Sequence, residues 1–325
     1  MPRPRSPESP VLTPRASLPG QPLRRRSGGG LAYTSAVEHV VTIPAEPFSL
    51  DDSRVVVHQV PDARDNLVWI LEDPHTSTAA AIDGPGADAA EAFASTRGLK
   101  ITTIFNTHTH GDHVGINRAY ARAGRLDEME VIGAASRADD IPGLTRPVVE
   151  GDEVAFGDAT LRVLETPGHI DGHVSFAASG AVFCGDTLFA GGCGYLFDGP
   201  PIAMFQSLHR LAALPERTRV CCAHEYTEDN LRFAWMVEAG NDALARRIQT
   251  VWALRAKGAC TVPSTMAEER ATNPFLRASS PALRAELQRR ALVTPEATDA
   301  EVFAATRALK DRGEHKDIPD GALPL

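Results

Sequence analysis

Cysteine is scarce in this 325-residue chain: Cys184, Cys193, Cys221, Cys222 and Cys260 are all there are, and none shows a CxxC spacing. So few thiols, so irregularly placed, exclude a disulfide framework. Cys221 and Cys222 sit in an apolar stretch and read as small buried hydrophobes of a reduced, intracellular protein. Also missing is any apolar run near the ~20 residues that span a bilayer, which argues against an integral membrane protein. Positive charge is not in excess. The formal net charge is −9, and no basic stripe interleaved with aromatics argues for nucleic acid, although a local basic patch can still hold an anionic ligand. What is there is ordinary for a globular protein, at 43% hydrophobic and 23% charged residues, and long enough for one large domain or two smaller ones.

Residues 1–50 stand apart. The first thirty carry Arg3, Arg5, Arg15, Arg24, Arg25 and Arg26 against the single acid Glu8, with scattered prolines and a closing Gly28-Gly29-Gly30. Such a composition cannot build a packed core, and disorder is expected. It is also that of an organelle transit peptide, while a start codon assigned too early is the rival reading. A cytoplasmic protein is expected, or a mitochondrial one if the segment is a transit peptide. From Arg54 onward, short apolar runs recur at Val55–Val57, Leu67–Leu71, Ala79–Ile82, Ile101–Phe105, Val131–Ile132, Val154–Phe156, Leu161–Leu164, Val174–Ala177 and Ala181–Cys184. They read as strands, with a turn at Pro61-Asp62 and one helix from Asp88 to Gly98. The expected class is α+β, with sheets inside and helices outside, over residues 51–225. Helical spacing over Asn230–Ala239, Asp242–Lys257, Pro281–Ala291 and Asp299–Leu309 predicts a smaller, helical C-terminal domain over 226–325.

Thr107-His108-Thr109-His110-Gly111-Asp112-His113 follows one of these strands. Three imidazoles and a carboxylate so close together are costly unless cations neutralise them, and they are the donors that zinc and similar metals take. In extended backbone His108 and His110 point the same way, while Asp112 and His113, where the chain turns, can face a second ion. Thr166-Pro167-Gly168-His169, Cys184-Gly185-Asp186-Thr187 and Ala223-His224-Glu225 each put a further donor just after an apolar run, where strand ends converge. His39, His58, His75, His209 and His315 have no such company and read as structural.

This ordered set resembles the metallo-β-lactamase superfamily over residues 54–224, with its αββα sandwich. The resemblance implies two divalent ions, with His108, His110 and His169 on the first, Asp112, His113 and His224 on the second, and Asp186 bridging both. It implies a hydroxide generated between the ions at neutral pH, and places His173 behind the ligands as an orienting residue. Zinc is expected, with iron and manganese as alternatives.

The fold hosts many reactions, and three further segments narrow the choice. Gly192-Cys193-Gly194-Tyr195-Leu196-Phe197, His224-Glu225-Tyr226-Thr227 and Asn273-Pro274-Phe275-Leu276-Arg277 followed by Arg307 and Lys310 resemble glyoxalase II. That resemblance implies a thioester hydrolase cleaving S-D-lactoylglutathione to D-lactate and glutathione, in methylglyoxal detoxification. Tyr195, Phe197 and Tyr226 would meet the substrate, and Arg307 and Lys310 would clamp the glycine carboxylate of glutathione. Tyr195 stands where the family usually has a basic residue, and Phe197 where some members have tyrosine. The alternatives are a glutathione persulfide dioxygenase, which in that family uses a single iron and lacks the long helical C-terminal part, or another hydrolase of the fold. The expected partner is the small-molecule glutathione thioester, with no nucleic acid, no membrane and a monomeric chain.

Overall fold

The computed structural model describes residues 38–325. The extension expected over 1–50 therefore lies, up to residue 37, outside the described residues. Its last part is packed rather than disordered. Val41 and Leu50 are buried, Arg255 donates to Val40 O, and β1 (Phe48–Ser49) pairs with the next strand. Two apolar anchors and a strand bond suffice to order a segment whose composition is otherwise polar.

The first sheet runs β1, β2 (Val56–Asp62), β3 (Asn66–Asp73), β4 (Thr78–Ile82), β5 (Lys100–Phe105), β6 (Glu130–Ala134) and β7 (Arg146–Val148) in that spatial order, antiparallel to β4 and parallel beyond it. Helix α1 (Asp88–Arg97) makes the β4–β5 crossover and ends on left-handed Gly98; α2 (Gly115–Arg122) follows β5. The run Leu67-Val68-Trp69-Ile70-Leu71 is apolar throughout because both faces of β3 are covered. Leu67, Trp69 and Leu71 join the core between the sheets, whereas Val68 and Ile70 pack with Ala90, Ala94, Ile116 and Tyr120 of the two helices.

The turn expected at Pro61-Asp62 lies slightly later. Pro61 is still within β2, paired with Leu67, whose N–H goes instead to Ala223 O. A residue at such a position needs no N–H toward its partner strand, which is how proline is tolerated there.

The second sheet is built from β8 (Glu153–Phe156), β9 (Ala159–Glu165), β10 (Val174–Ala178) and β11 (Ala181–Gly185). A small hairpin, β12 (Leu188–Phe189) with β13 (Gly192–Cys193), and α3 (Pro201–Ala212) come next, then β14 (Arg219–Cys222), parallel to β11. Helices α4 (Thr227–Glu238) and α5 (Asp242–Arg255), edge strand β15 (Ser264–Thr265), α6 (Met266–Thr272), α7 (Pro281–Arg289) and α8 (Asp299–Asp311) complete the chain. Thr298 and Glu301 form a capping box at the start of α8. One apolar cluster reaches from the inter-sheet residues Phe105, Phe176 and Phe183 through Met204 and Leu208 of α3 to Phe233, Phe275 and Phe303. The layers are thus helix, sheet, sheet, helix, an α+β arrangement. Among the described residues no helix is long and apolar enough to cross a membrane.

Candidate metal centre

Each predicted donor lies just past a strand end on one edge of the sandwich. β5 releases the loop carrying His108, His110, Asp112 and His113; β9 precedes His169, β11 precedes Asp186 and β14 precedes His224. The sharp exit from β11 requires glycine. Gly185 has φ +47°, and a Cβ there would lie 2.3 Å from Thr107 Oγ1 and 2.8 Å from His173 Nε2.

The donors fall into two groups. His110 Nδ1 lies 3.1 Å from His108 Nε2 and 3.0 Å from His169 Nε2. Asp112 Oδ2 lies 3.6 Å from His113 Nε2 and 3.4 Å from His224 Nε2. Asp186 stands between them. Its Oδ2 is 3.5 Å from His169 Nε2, and its Oδ1 is 3.5 Å from both His113 Nε2 and His224 Nε2. These separations bracket the roughly 3.4 Å edge of a tetrahedron with bonds of about 2.0–2.1 Å. His113 Nε2 and Asp186 Oδ1 are buried without a hydrogen-bond partner, a costly state for polar atoms unless an ion takes them. The residues fit a pair of divalent cations.

The electrostatics agree. Burial opposes ionisation of Asp186, yet His224 and His113 hold it well below the usual carboxylate range. Burial likewise opposes charge on His224, but Asp186, Asp112 and Asp65 push it up to about 9. Asp186 and Asp83 raise His113 well above its ordinary value against the same penalty. Asp186 stays ionised and calls for positive charge at the imidazole nitrogens around it, which protons or metal ions can supply.

A second layer fixes which nitrogen faces inward. His224 Nδ1 donates to Asp65 Oδ1 at 2.8 Å, and His169 Nδ1 donates to Tyr195 O at 2.7 Å, leaving both Nε2 lone pairs free. Asn66 donates to Asp112 Oδ2 at 3.0 Å. Asp83 accepts from Thr107 N and Oγ1 and lies 3.0 Å from His113 Nδ1, in a geometry too bent for a full hydrogen bond. Asp65, Asn66, Asp83 and Thr107 escape a sequence reading, because Asp65-Asn66 and Asp83-Gly84-Pro85-Gly86 look like ordinary turn chemistry. His173 belongs to neither group. Its ring stacks on His108, its Nε2 accepts the Asp186 N–H at 3.3 Å, and its Nδ1 faces Thr166 and Thr187 hydroxyls.

An aromatic rim borders the centre. Phe197, 60% exposed, presents its ring 5.1 Å from that of His110 and 5.2 Å from that of His169, with the exposed Tyr195 beside it at 4.9 Å. Tyr226 stacks on His224 at 4.8 Å. Arg307 and Lys310 lie elsewhere and are buried, unlike the solvated basic face that their spacing alone suggests. Arg307 donates to Cys193 O and to Asp311, and Lys310 Nζ meets Asn230 Oδ1 and lies 3.6 Å from Asp229. Burial and the neighbouring guanidinium bring Lys310 down to about 8.

The segment from Ala190 to Cys193 is gripped from the helices. Asn230 donates to Ala190 O, Glu269 accepts the Gly191 N–H, Asn273 donates to Gly192 O, and Arg307 donates to Cys193 O. Gly194, next in line, abuts the centre itself. A Cβ there would lie 2.0 Å from Asp186 O and 2.9 Å from His169 Nδ1.

Comparison with known proteins matches two families along the chain. Residues 68–224 match the metallo-beta-lactamase superfamily, and residues 225–313 match the family described as hydroxyacylglutathione hydrolase C-terminus. A hydroxyacylglutathione hydrolase of Gloeobacter violaceus is 50% identical over 261 residues, covering 79% of this chain and all of that protein. One of Methylococcus capsulatus is 46% identical over 259 residues, covering 78% and 96%. Among solved structures, ETHE1 from Myxococcus xanthus superposes with a TM-score of 0.53 at 25% identity, covering 78% of this chain and 98% of that one.

Proposed function

The chain belongs to the hydroxyacylglutathione hydrolase family of the metallo-β-lactamase superfamily, and from that premise we propose that it hydrolyses S-D-lactoylglutathione to D-lactate and glutathione. Water adds across the thioester, the C–S bond breaks, and the sulfur leaves as thiol. A bound divalent pair supplies Lewis acidity to the carbonyl and brings the pKa of water near neutrality. We assign His108, His110 and His169 to one ion, Asp112, His113 and His224 to the other, and Asp186 to both. Zinc suits these donors, and iron and manganese compete for them.

The chain's own side chains do the rest. Asp65 and the Tyr195 carbonyl hold His224 and His169 in the tautomer that faces inward. Phe197 and Tyr226 border the two donor groups with their rings, where an acyl group would lie. Lys310, with Arg307 shaping its surroundings, receives a remote carboxylate of the glutathione moiety. The single observation that carries this reading is the Gly192–Gly194 strip: Gly194 lies against Asp186 and His169, while Cys193 accepts from Arg307. One short segment joins reacting centre and carboxylate site.

The test is a thioesterase assay with metal analysis of the same sample. Turnover of S-D-lactoylglutathione with about two ions per chain is expected. His110→Ala should collapse kcat for every thioester, whereas Lys310→Ala should raise KM for the glutathione thioester and spare kcat, as loss of uniform binding does. No turnover by a protein carrying both ions would overturn the substrate and leave the metal centre standing.

A further inference from the structure

The two cations of α8 are not equally free. Arg307 is spent within its own neighbourhood, on Asp311 one turn along the helix and on Cys193 O. Lys310 faces another element, the first turn of α4, where Asn230 accepts from it and Asp229 stands 3.6 Å away with its side chain 44% exposed. Asp229 has a second holder. The buried His315 places Nε2 3.2 Å from both Asp229 oxygens, closer than Lys310 comes. The carboxylate can therefore give up the lysine without being left alone, whereas Lys310 would keep only uncharged partners, Asn230 and the Phe233 ring 5.8 Å away.

Asp229 also lies near the chemistry. It follows Tyr226, which stacks on His224, by three residues. At 1.5 Å of rise per residue that is about 4.5 Å along the helix. An arriving carboxylate thus meets Arg307 paired with Asp311 and Lys310 paired with Asp229.

We propose that Asp229 is a specificity-determining counter-ion, paired with Lys310 in the free protein, and that a carboxylate of the thiol carrier must displace it onto His315 to bind. This rests on the assignment of Lys310 as the carboxylate site. Asp229 then sets how strongly the site prefers thioesters of anionic thiols over thioesters of neutral ones.

The experiment uses the metal-loaded full chain with two substrates, S-D-lactoylglutathione and a short acyl thioester without carboxylates. Asp229→Asn should lower KM for the glutathione thioester about three- to fivefold, the size of a partly exposed ion pair, with kcat unchanged. The effect should shrink as salt rises, and KM for the neutral thioester should stay put. Asp229→Glu should behave as wild type. His315→Gln should act in the opposite direction, raising KM, because Asp229 then leans more heavily on Lys310, with only the more distant charge of Lys316 besides; this variant keeps the test open if Asp229→Asn unravels the start of α4. An unchanged or raised KM in a folded Asp229→Asn, an equal shift for both thioesters, or a lowered KM in His315→Gln would each overturn the proposal. Lys310→Ala separates the two levels of inference. If it raises KM while Asp229→Asn does nothing, only the counter-ion idea fails; if it leaves KM alone, the carboxylate site has been misassigned and the counter-ion falls with it.

Discussion

Removing the Asp65 side chain should loosen one ion and spare the other. Asp65 comes from the β2–β3 turn, 159 residues from His224 in sequence, and accepts from His224 Nδ1 at 2.8 Å. Its backbone carbonyl separately accepts the Glu225 N–H, so Asp65→Ala deletes the carboxylate and leaves the backbone link intact. Nδ1 then loses its fixed partner, and the ring can rotate or switch tautomer, withdrawing the Nε2 lone pair. Loss of an orienting partner of this kind typically costs 10–100-fold in metal affinity, which is about 1.4–2.7 kcal/mol. The side chain is 24% exposed, so water can partly replace it and the lower half of that range is expected. Equilibrium dialysis against a graded chelator, with metal counted per chain, provides the assay. Wild type should release two ions at high chelator; Asp65→Ala should release one at a chelator activity at least tenfold lower and then pause near one ion per chain. Asp65→Asn, whose amide oxygen still accepts, should fall between. A release curve identical to wild type, or both ions weakened alike, would refute the division into two donor groups with His224 in only one.

Gly194→Ala drives a methyl group into Asp186 O and His169 Nδ1; a shift of about 1 Å at a reacting centre can cost about 10²-fold in rate. Assayed for thioester turnover beside Gly240→Ala, which meets nothing within 4 Å, it should be nearly inactive while the control is not. His58 should contribute a pH dependence of stability. Burial pushes its pKa below the ordinary value, although Glu72 pulls the other way, so its neutral folded form is fully stabilising above the unfolded value of about 6.5. That stability is lost as pH falls through the folded value, so the wild-type Tm should drop faster than that of His58→Gln between pH 7.5 and 5.5, and parallel curves would count against this account. A chain starting at residue 47 should be less stable than one starting at 38, since it forfeits the burial of Val41, about 1.5–3 kcal/mol for such a side chain; equal denaturation midpoints would show that the segment packs without consequence.

The donors were legible in the sequence because each follows an apolar strand, and because imidazoles and carboxylates crowded at strand ends are unfavourable until cations lie between them. Their supports were not. Asp65 and Asp83 sit at turns, where an acidic residue is expected in any protein, and only the fold brings them to His224 and Thr107. Helix α3 carries a local signal, a proline at its first turn and Met204, Leu208 and Leu211 on one face, but the loop residues around it mask the pattern. Helix α2 shows Ile116 and Tyr120 on one face, but it has no side-chain cap and only eight residues, too short a run for a periodic pattern to stand out. The burial of Arg307 was equally invisible, because the Cys193 carbonyl that accepts from it lies 114 residues away. Spacing along a helix says which side chains share a face, not what that face meets.

The grip on Ala190–Cys193 bears on how this protein can be cut or recombined. Four consecutive residues of a loop beside the catalytic edge are held by Asn230, Glu269, Asn273 and Arg307, all on the far side of residue 225. The seam at which the two families of sequence meet is therefore not a mechanical joint. The helices cannot melt while the loop keeps its shape, so heat or denaturant should abolish activity and unfold the helical segment in one transition. Helices grafted from a relative would need to bring the same four side chains with them, because three carbonyls and one N–H of this segment find their partners there.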